Sequence, residues 1–307
     1  MLQSGADCSR RQVLSTVATA ALAAFPAIGK EQNIHWALGP VTWVVSAGKS
    51  SPRWEDILSD IKAAGFEGFE PYTTPTLPVN DQNMDLLAKL APGYGLRMSG
   101  IYWGDTWDQP SDHKRQLQEC HRYFGYLKRF GANRLLTGPP GPEVRDERAA
   151  ISHMARILNA VGRIGMEQYG IKIGVHPHLG SLIENPRQID QLMEQTDPKY
   201  FHFVPDTMQI WAGGGDPIRM IEKYIDRIIY LHYKDSRPYQ RGFRTGADYG
   251  VALGEGVIDF QAIHRILKRD RYQGWIGIDV ARAPVSPLET AKTNRAYIDR
   301  VLNPIYA

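Results

Sequence analysis

Beyond about residue 33 the chain alternates between two hydrophobic periods. Short continuous apolar runs, each the length of a buried strand, are separated by stretches in which apolar residues recur every three to four positions, the period of one helix face. The runs fall at residues 35–45, 66–70, 96–101, 133–137, 171–175, 201–204, 228–231 and 275–278. The helical stretches between them carry Trp54, Ile57, Leu58 and Ile61; residues 84–90; Leu117, Cys120, Phe124 and Leu127; then Ile151, Met154, Ile157, Leu158 and Val161. Further helices are predicted at 189–193, from Asp216-Pro217 onward, at Phe260, Ile263, Ile266 and Leu267 after the capping Asp259, and at 287–301. An Asp followed by a first-turn Pro is a helix start, and Gly138-Pro139-Pro140-Gly141-Pro142 forces a loop. Eight strand-helix units in series predict an α/β fold, a single (β/α)8 TIM barrel over residues 31–307.

A doubly wound open sheet is the competing fold. It would carry a Gly-rich turn after its first strand. Gly48-Lys49-Ser50 resembles the tail of a phosphate loop, but Trp43 stands where that loop needs its first glycine.

With 307 residues, 43% of them hydrophobic, the chain can bury a barrel-sized core. A net charge of only +3, with Lys and Arg scattered, gives no basic stripe, so nucleic acid is not an expected partner. Ser9-Arg10-Arg11-Gln12-Val13-Leu14, followed by an Ala-rich apolar stretch to Phe25 and a small-residue end near Ala27, reads as a twin-arginine export signal over residues 1–30. Its apolar run is too short for a stable membrane span, so the mature protein is expected outside the cytoplasm, in the periplasm or beyond, without an anchor. Removing the signal removes Cys8 and leaves Cys120, which rules out an intramolecular disulfide in the mature protein.

Several predicted strands stop at a polar residue that can bind a metal or move a proton. In a parallel barrel those C-terminal ends share one rim. Asp206, His232 and Asp279 follow the sixth, seventh and eighth strands, and the fifth is followed by His176, His178 and then Glu184. Each has a plainer explanation alone, since an Asp after a strand often caps a helix and a His there often makes a structural hydrogen bond. Their convergence points instead to one divalent ion, and mixed carboxylate and imidazole donors suit Mn, Mg, Co, Zn or Fe. Glu70, ending the second strand, is placed to hold substrate hydroxyls, to orient a ligand or to form a rim salt bridge. Lys234 follows His232 by two, so strand alternation sets both on one side, while Asp235 points away and braces a loop. Trp43, Tyr102 and Trp103 could form apolar walls for a sugar ring. Arg241 and Arg244 could cover it.

These residues resemble the sugar isomerase/epimerase superfamily with a xylose-isomerase-like barrel, and most of all its myo-inosose dehydratase-like branch. The resemblance runs through Gly65-Phe66-Glu67-Gly68-Phe69-Glu70, His176-Pro177-His178-Leu179-Gly180-Ser181 with Glu184, Asp206-Thr207 leading to Gly215-Asp216-Pro217, and His232-Tyr233-Lys234-Asp235. It continues through Gly254-Glu255-Gly256 with Asp259-Phe260 and closes at Gly274-Trp275-Ile276. It implies one divalent ion, most often Mn, with Asp206, His232 and Asp279 as ligands and Glu184 as the fifth-strand ligand, while Glu70, His176, Trp103 and Gln209 face substrate. The chain departs from the family pattern at His176 and Asp279, where many members carry Glu, and at Gln209, where many carry His. An Asp is shorter than a Glu by roughly 1.5 Å, so contact through water is expected at Asp279.

The activity implied is proton removal next to the carbonyl of an unphosphorylated keto-sugar, with His178 as base and Lys234 as acid or enolate stabiliser. Reprotonation gives isomerisation or epimerisation; expulsion of a β-substituent gives a dehydratase or 3-keto-glycoside eliminase. A non-catalytic carbohydrate-binding barrel is a third reading, and an abasic-site endonuclease of the same fold would need more histidines and a basic groove. The expected partners are a small sugar and, as a homo-oligomer, further copies of the chain.

Overall fold

The computed structural model describes residues 33–46, 51–241 and 243–306. The proposed export signal and the Gly48-Lys49-Ser50 turn lie outside the described residues.

The described strands, in chain order, are β1 (Ile34–Leu38), β2 (Gly68–Phe69), β3 (Arg97–Met98), β4 (Ile101–Gly104), β5 (Arg134–Gly138) and β6 (Lys172–Val175), followed by β7 (Phe201–Phe203), β8 (Leu231–Tyr233), β9 (Asp235–Ser236), β10 (Gly250–Val251) and β11 (Gly274–Ile278). Two parallel sheets, ordered β3-β2-β1-β11-β8 and β4-β5-β6-β7, make the wall. Parallel bridges Tyr72 to Tyr102, Phe203 to Ile228 and Asp206 to His232 join their edges into a cylinder. β3 and β4 are one stave interrupted at Ser99-Gly100, and β9 and β10 form an antiparallel hairpin above the rim, which leaves the eight staves that the periodicity predicts. The family's barrel fold is therefore present.

Strand alternation sorts side chains into two cores. Trp36, Leu38, Ile101, Trp103, Leu135, Leu231, Tyr233, Ile276 and Ile278 face the helices, while Ala37, Leu136, Val204, Tyr230 and Trp275, with Tyr102 against them, fill the inside. Large rings inside a narrow cylinder need glycines opposite. A Cβ on Gly68 would lie 2.3 Å from the Trp275 ring and one on Gly138 would lie 2.1 Å from the Tyr102 hydroxyl. The outer helices follow their apolar stripes: Trp54–Ala63 buries Trp54, Ile57, Leu58 and Ile61.

Two boundaries differ from the sequence reading. The first apolar run, predicted as a strand over 35–45, is strand only to Leu38; after Gly39-Pro40 it turns into the helix Val41–Ser46. The proline removes a ladder donor and ends the strand. Trp43 thus belongs to a helix and donates its indole N–H to Asp60 (2.8 Å) instead of walling the mouth. The seventh strand, predicted at 228–231, pairs at Leu231–Tyr233, which puts His232 within the strand. No helix among the described residues is long and apolar enough to cross a membrane.

Candidate metal centre and active site

His176, Asp206, His232 and Asp279 each offer one ligand atom, and these atoms all lie within 4.8 Å of one another. His176 follows β6, Asp206 follows β7, His232 lies in β8 and Asp279 follows β11, so parallel pairing carries all four to one rim. Each is oriented by a partner outside the group. Asp206 caps the helix Thr207–Ala212, its Oδ1 accepting the Gln209 N–H (2.8 Å), which leaves Oδ2 buried with no hydrogen-bond partner, 3.6 Å from His176 Nε2. His176 Nδ1–H donates to the Pro177 carbonyl (3.3 Å), turning Nε2 inward. His232 Nε2–H donates to Glu70 Oε2 (2.9 Å), and its Nδ1 is buried and unpartnered.

Burying an acceptor without a partner costs about 1–3 kcal/mol. Two such atoms within one group of two imidazoles and two carboxylates fit a divalent cation, which would engage both at once. The arrangement of Glu70 and His232 also matches metal-ligating histidines generally, which donate their second ring N–H to a carboxylate.

The electrostatics leave His176 and Asp279 ready to bind a cation, whereas His232 must give up a proton to it and the Asp206 carboxylate is held at a cost. Burial, with His232, His178 and Lys234 nearby, holds His176 well below the usual imidazole range, so Nε2 keeps its lone pair. Burial pushes Asp206 up to about 6, against the pull of Lys234 and His232. Asp279 is lowered: burial opposes its charge, but Lys234 and His232 outweigh it. For His232, burial favours the neutral ring but the Glu70 carboxylate overrides it and raises the group to about 9.

Lys234 is buried beside the group, its ammonium donating to Asp279 Oδ2 (3.2 Å). Burial disfavours its charge, yet Asp279 and Asp206 together raise its pKa. His178 sits at the exposed lip, with ring centroids 6.1 Å from His176. Its Nδ1–H donates to the Leu179 carbonyl (2.8 Å), and desolvation at the lip, with the Lys234 charge nearby, outweighs that bond to lower its pKa, so Nε2 is a free base at neutral pH. Gln209 is buried; its Oε1 accepts the Leu179 N–H (2.9 Å) and its Nε2 has no partner.

Three sequence assignments change. Glu184 does not join the ligand group: the chain turns at Gly180, with φ of 75°, and Glu184 Oε2 accepts the Gly180 N–H (2.8 Å). His176, expected to face substrate, takes the fifth-strand place in the group. Trp103 does not face substrate, because alternation turns it outward to stack on Tyr123 at 4.4 Å and to meet Trp107 at 4.6 Å. Tyr102 takes the inner side, edge-on to His176 at 5.4 Å, with Tyr72 against it at 6.3 Å. Tyr72 escaped the sequence reading because it lies past the strand that carries Glu70. Asp235 braces the loop as expected, accepting from the N–H groups of Ser236, Gly254, Gly256 and Ile258. A cavity of about 370 Å³ edged by Arg237, Arg282 and Glu289 is lined by none of the four ligand-group residues.

A family model described as xylose isomerase-like TIM barrel matches residues 58–301. The chain belongs to that family. It is an enzyme of it. Inosose dehydratase of Bacillus velezensis is 28% identical over 305 residues, which cover 89% of this chain and 98% of that protein. Inosose dehydratase of Geobacillus kaustophilus is 29% identical, covering 88% of this chain and 95% of its own length. Among solved structures, IolI protein with a bound zinc atom superposes with a TM-score of 0.74 at 17% identity, over 89% of this chain and 99% of that one. A sugar phosphate isomerase/epimerase of Parabacteroides distasonis does so with 0.70 at 17%, over 92% and 98%.

Proposed function

We propose that this family member is a divalent-metal-dependent lyase that removes water or another β-substituent from an unphosphorylated keto-sugar or keto-cyclitol, working outside the cytoplasm. The observation that carries the reading is the neighbourhood of Lys234: a charged, buried acid held by Asp279 next to the ligand group, with one neutral base, His178, at its lip. Epimerases of this superfamily use two metal-bound glutamates as acid and base on opposite faces of the sugar; the matching positions are His176 and Asp279. Elimination needs a base for the carbon proton and an acid for the leaving oxygen, roles that His178 and Lys234 can fill. Inosose dehydratases matching nearly the full length of the described barrel support the same choice.

His176, Asp206, His232 and Asp279 would hold a divalent ion, which would supply Lewis acidity at the ketone oxygen. His178 Nε2 takes the proton from the carbon next to the ketone. The electron pair left behind forms the carbon-carbon double bond as the neighbouring C–O bond breaks, and Lys234 gives a proton to the departing oxygen, so that a hydroxyl leaves as water. His178 is then protonated and Lys234 neutral, and exchange with solvent restores both. Glu70 keeps the His232 ring aimed, and Gln209 offers a fixed N–H to a substrate oxygen. Two imidazoles and two carboxylates suit manganese or zinc, and we place manganese first.

The test incubates metal-loaded protein with inososes, 3-keto-glycosides and simple ketoses in deuterated water under NMR observation. Loss of water or of an aglycone is expected. Label at the carbon next to the carbonyl without loss of a group would establish isomerase or epimerase chemistry in its place, and neither outcome with any of them would count against both readings. For export, residues 1–30 fused to a reporter should deliver it to the periplasm, and Arg10→Lys with Arg11→Lys should stop delivery.

A further inference from the structure

Two pairs of buried side chains cross the inside of the barrel, one below the other. The upper pair is His232 with Glu70. Two residues before His232, on the same face of its stave, Tyr230 meets Ser99, hydroxyl to hydroxyl at 3.0 Å. Ser99 stands at the break between β3 and β4, where its N–H (3.0 Å) and its Oγ (3.1 Å) both reach the carbonyl of Phe69, the residue before Glu70. Tyr230 and Ser99 are as buried as the pair above them. Gly277, the β11 residue paired with His232, makes the room: a Cβ there would lie 2.6 Å from the Tyr230 hydroxyl and 2.9 Å from His232 Cδ2.

Glu70 needs more than His232 gives it. Its Oε1 and Oε2 share the one His232 Nε2–H, at 3.2 and 2.9 Å, whereas a carboxylate can accept about four hydrogen bonds. The Tyr230 hydroxyl is the neighbour that can supply a second. Burial first, then the charge and the acceptor oxygens of Glu70, hold this phenol well above its usual pKa against the bond to Ser99, so it keeps its proton. Each hydroxyl proton has two takers: Ser99 can donate to the Phe69 carbonyl or to Tyr230, and Tyr230 to Ser99 or to Glu70. A hydrogen bond to a charged acceptor is roughly twice as strong as one between neutral groups, so the chain runs from Ser99 through Tyr230 to the carboxylate. The Phe69 carbonyl is not left unpaired, since it keeps the Ser99 N–H.

We propose that Tyr230 is a positioning residue of the metal centre: held by Ser99, its hydroxyl anchors the Glu70 carboxylate, which in turn aims His232 Nδ1 at the ion. A carboxylate held at one point can swing and carry the imidazole with it, and a second anchor from a neighbouring stave removes that freedom. Tyr230 acts through Glu70 and takes no part in the chemical step. The inference rests on His232 as a metal ligand and is independent of whether the enzyme eliminates or isomerises.

The experiment compares native protein with Tyr230→Phe, Ser99→Ala, Glu70→Ala and the double variant of Tyr230→Phe with Glu70→Ala. Manganese affinity is read by competition with a chelator. In metal-free protein with isotope-labelled histidine, NMR reads how fast the His232 Nε2–H exchanges with solvent. Tyr230→Phe keeps the ring and leaves Ser99 its Phe69 partner, so the Tm of the metal-free protein should stay near native. Its manganese affinity should fall by about 10-fold, the low end for loss of a partner behind a ligand, and the exchange should speed up by about as much. Ser99→Ala, which leaves Tyr230 itself unchanged, should move both in the same direction by less. With Glu70→Ala already present, Tyr230→Phe should change affinity less than twofold, whereas a general packing effect would lower it equally in both backgrounds. Affinity of Tyr230→Phe within twofold of native, or an equal loss with and without Glu70, would overturn the inference. Native protein that retains no divalent ion would overturn the metal reading instead, and unchanged exchange in metal-free Tyr230→Phe would then overturn the role of Tyr230 as well.

Discussion

His232 and Glu70 meet across the barrel: His232 Nε2 lies 2.9 Å from Glu70 Oε2, both side chains buried, although 162 positions separate them in the chain. The pair fixes the imidazole so that Nδ1 faces His176, Asp206 and Asp279. Removing a carboxylate behind a ligating histidine typically costs 10- to 100-fold in metal affinity. Glu70→Gln can still accept from Nε2–H, so it should weaken binding by about 10-fold, and Glu70→Ala by about 100-fold. Metal competition against a chelator reads both. His232→Ala should retain no metal through gel filtration. Full retention would remove His232 from the site.

On the proposed lyase reading, Lys234 separates the two halves of the reaction. With Lys234→Met the base at His178 still works, so solvent deuterium should still enter next to the carbonyl, while release of water should fall by about 10²- to 10⁴-fold, the usual contribution of a general acid. If exchange and release fall together, Lys234 acts before the C–O bond breaks. The variant also leaves Asp279 without its ion pair, so metal content is measured alongside.

On the same reading, the pH dependence of turnover follows from His178. A base must be neutral, and burial lowers its pKa from the usual imidazole value, so the acid limb of the kcat/KM profile should fall below about 6.5. His178→Gln should abolish that limb together with most of the rate.

Stability has its own pH dependence at His264, which is stacked on Trp36 at 5.7 Å and bonded to the Tyr233 hydroxyl (3.0 Å). Burial pushes its pKa down to about 4. Above about 6.5 the ring is neutral both folded and unfolded, so the stability this site confers is fully present. As pH falls from there towards 4, the unfolded chain takes up the proton and the folded protein does not, so stability falls, by about 3 kcal/mol once both are protonated. His264→Gln, which keeps a partner for Tyr233 without a titrating ring, should flatten the fall of Tm over that range.

Asp235 holds four backbone N–H groups, at 2.8 Å from Ser236, 2.9 Å from Gly254 and Gly256, and 3.1 Å from Ile258. At roughly 1–3 kcal/mol for each buried donor left unpaired, Asp235→Ala should cost at least about 3 kcal/mol in urea unfolding. The 254–258 loop should become the first site of proteolytic cleavage, and a variant with native stability would show that the loop pairs its donors elsewhere.

The residues that sequence and structure both bring to one rim are those tied to a strand end. Asp206, His232, Lys234 and Asp279 sit where short apolar runs stop, and parallel staves in register deliver their ends to one rim. Errors arise where a local break intervenes. Gly39-Pro40 cuts the first run and sends Trp43 into a helix, and the turn at Gly180 swings Glu184 back onto its own loop. Trp103 and Tyr102 were open to either side until the pleat of β4 was fixed, since a shift of one residue exchanges the two faces.

By itself the sequence determined the barrel, its eight units and the types of group at its mouth, because hydrophobic period and strand termination are local properties of the chain. Only the tertiary structure decided that His176 rather than Glu184 lies beside Asp206, His232 and Asp279, and that Glu70 stands behind His232. Those relationships join distant segments, and their distances are set by barrel closure, which no local spacing encodes.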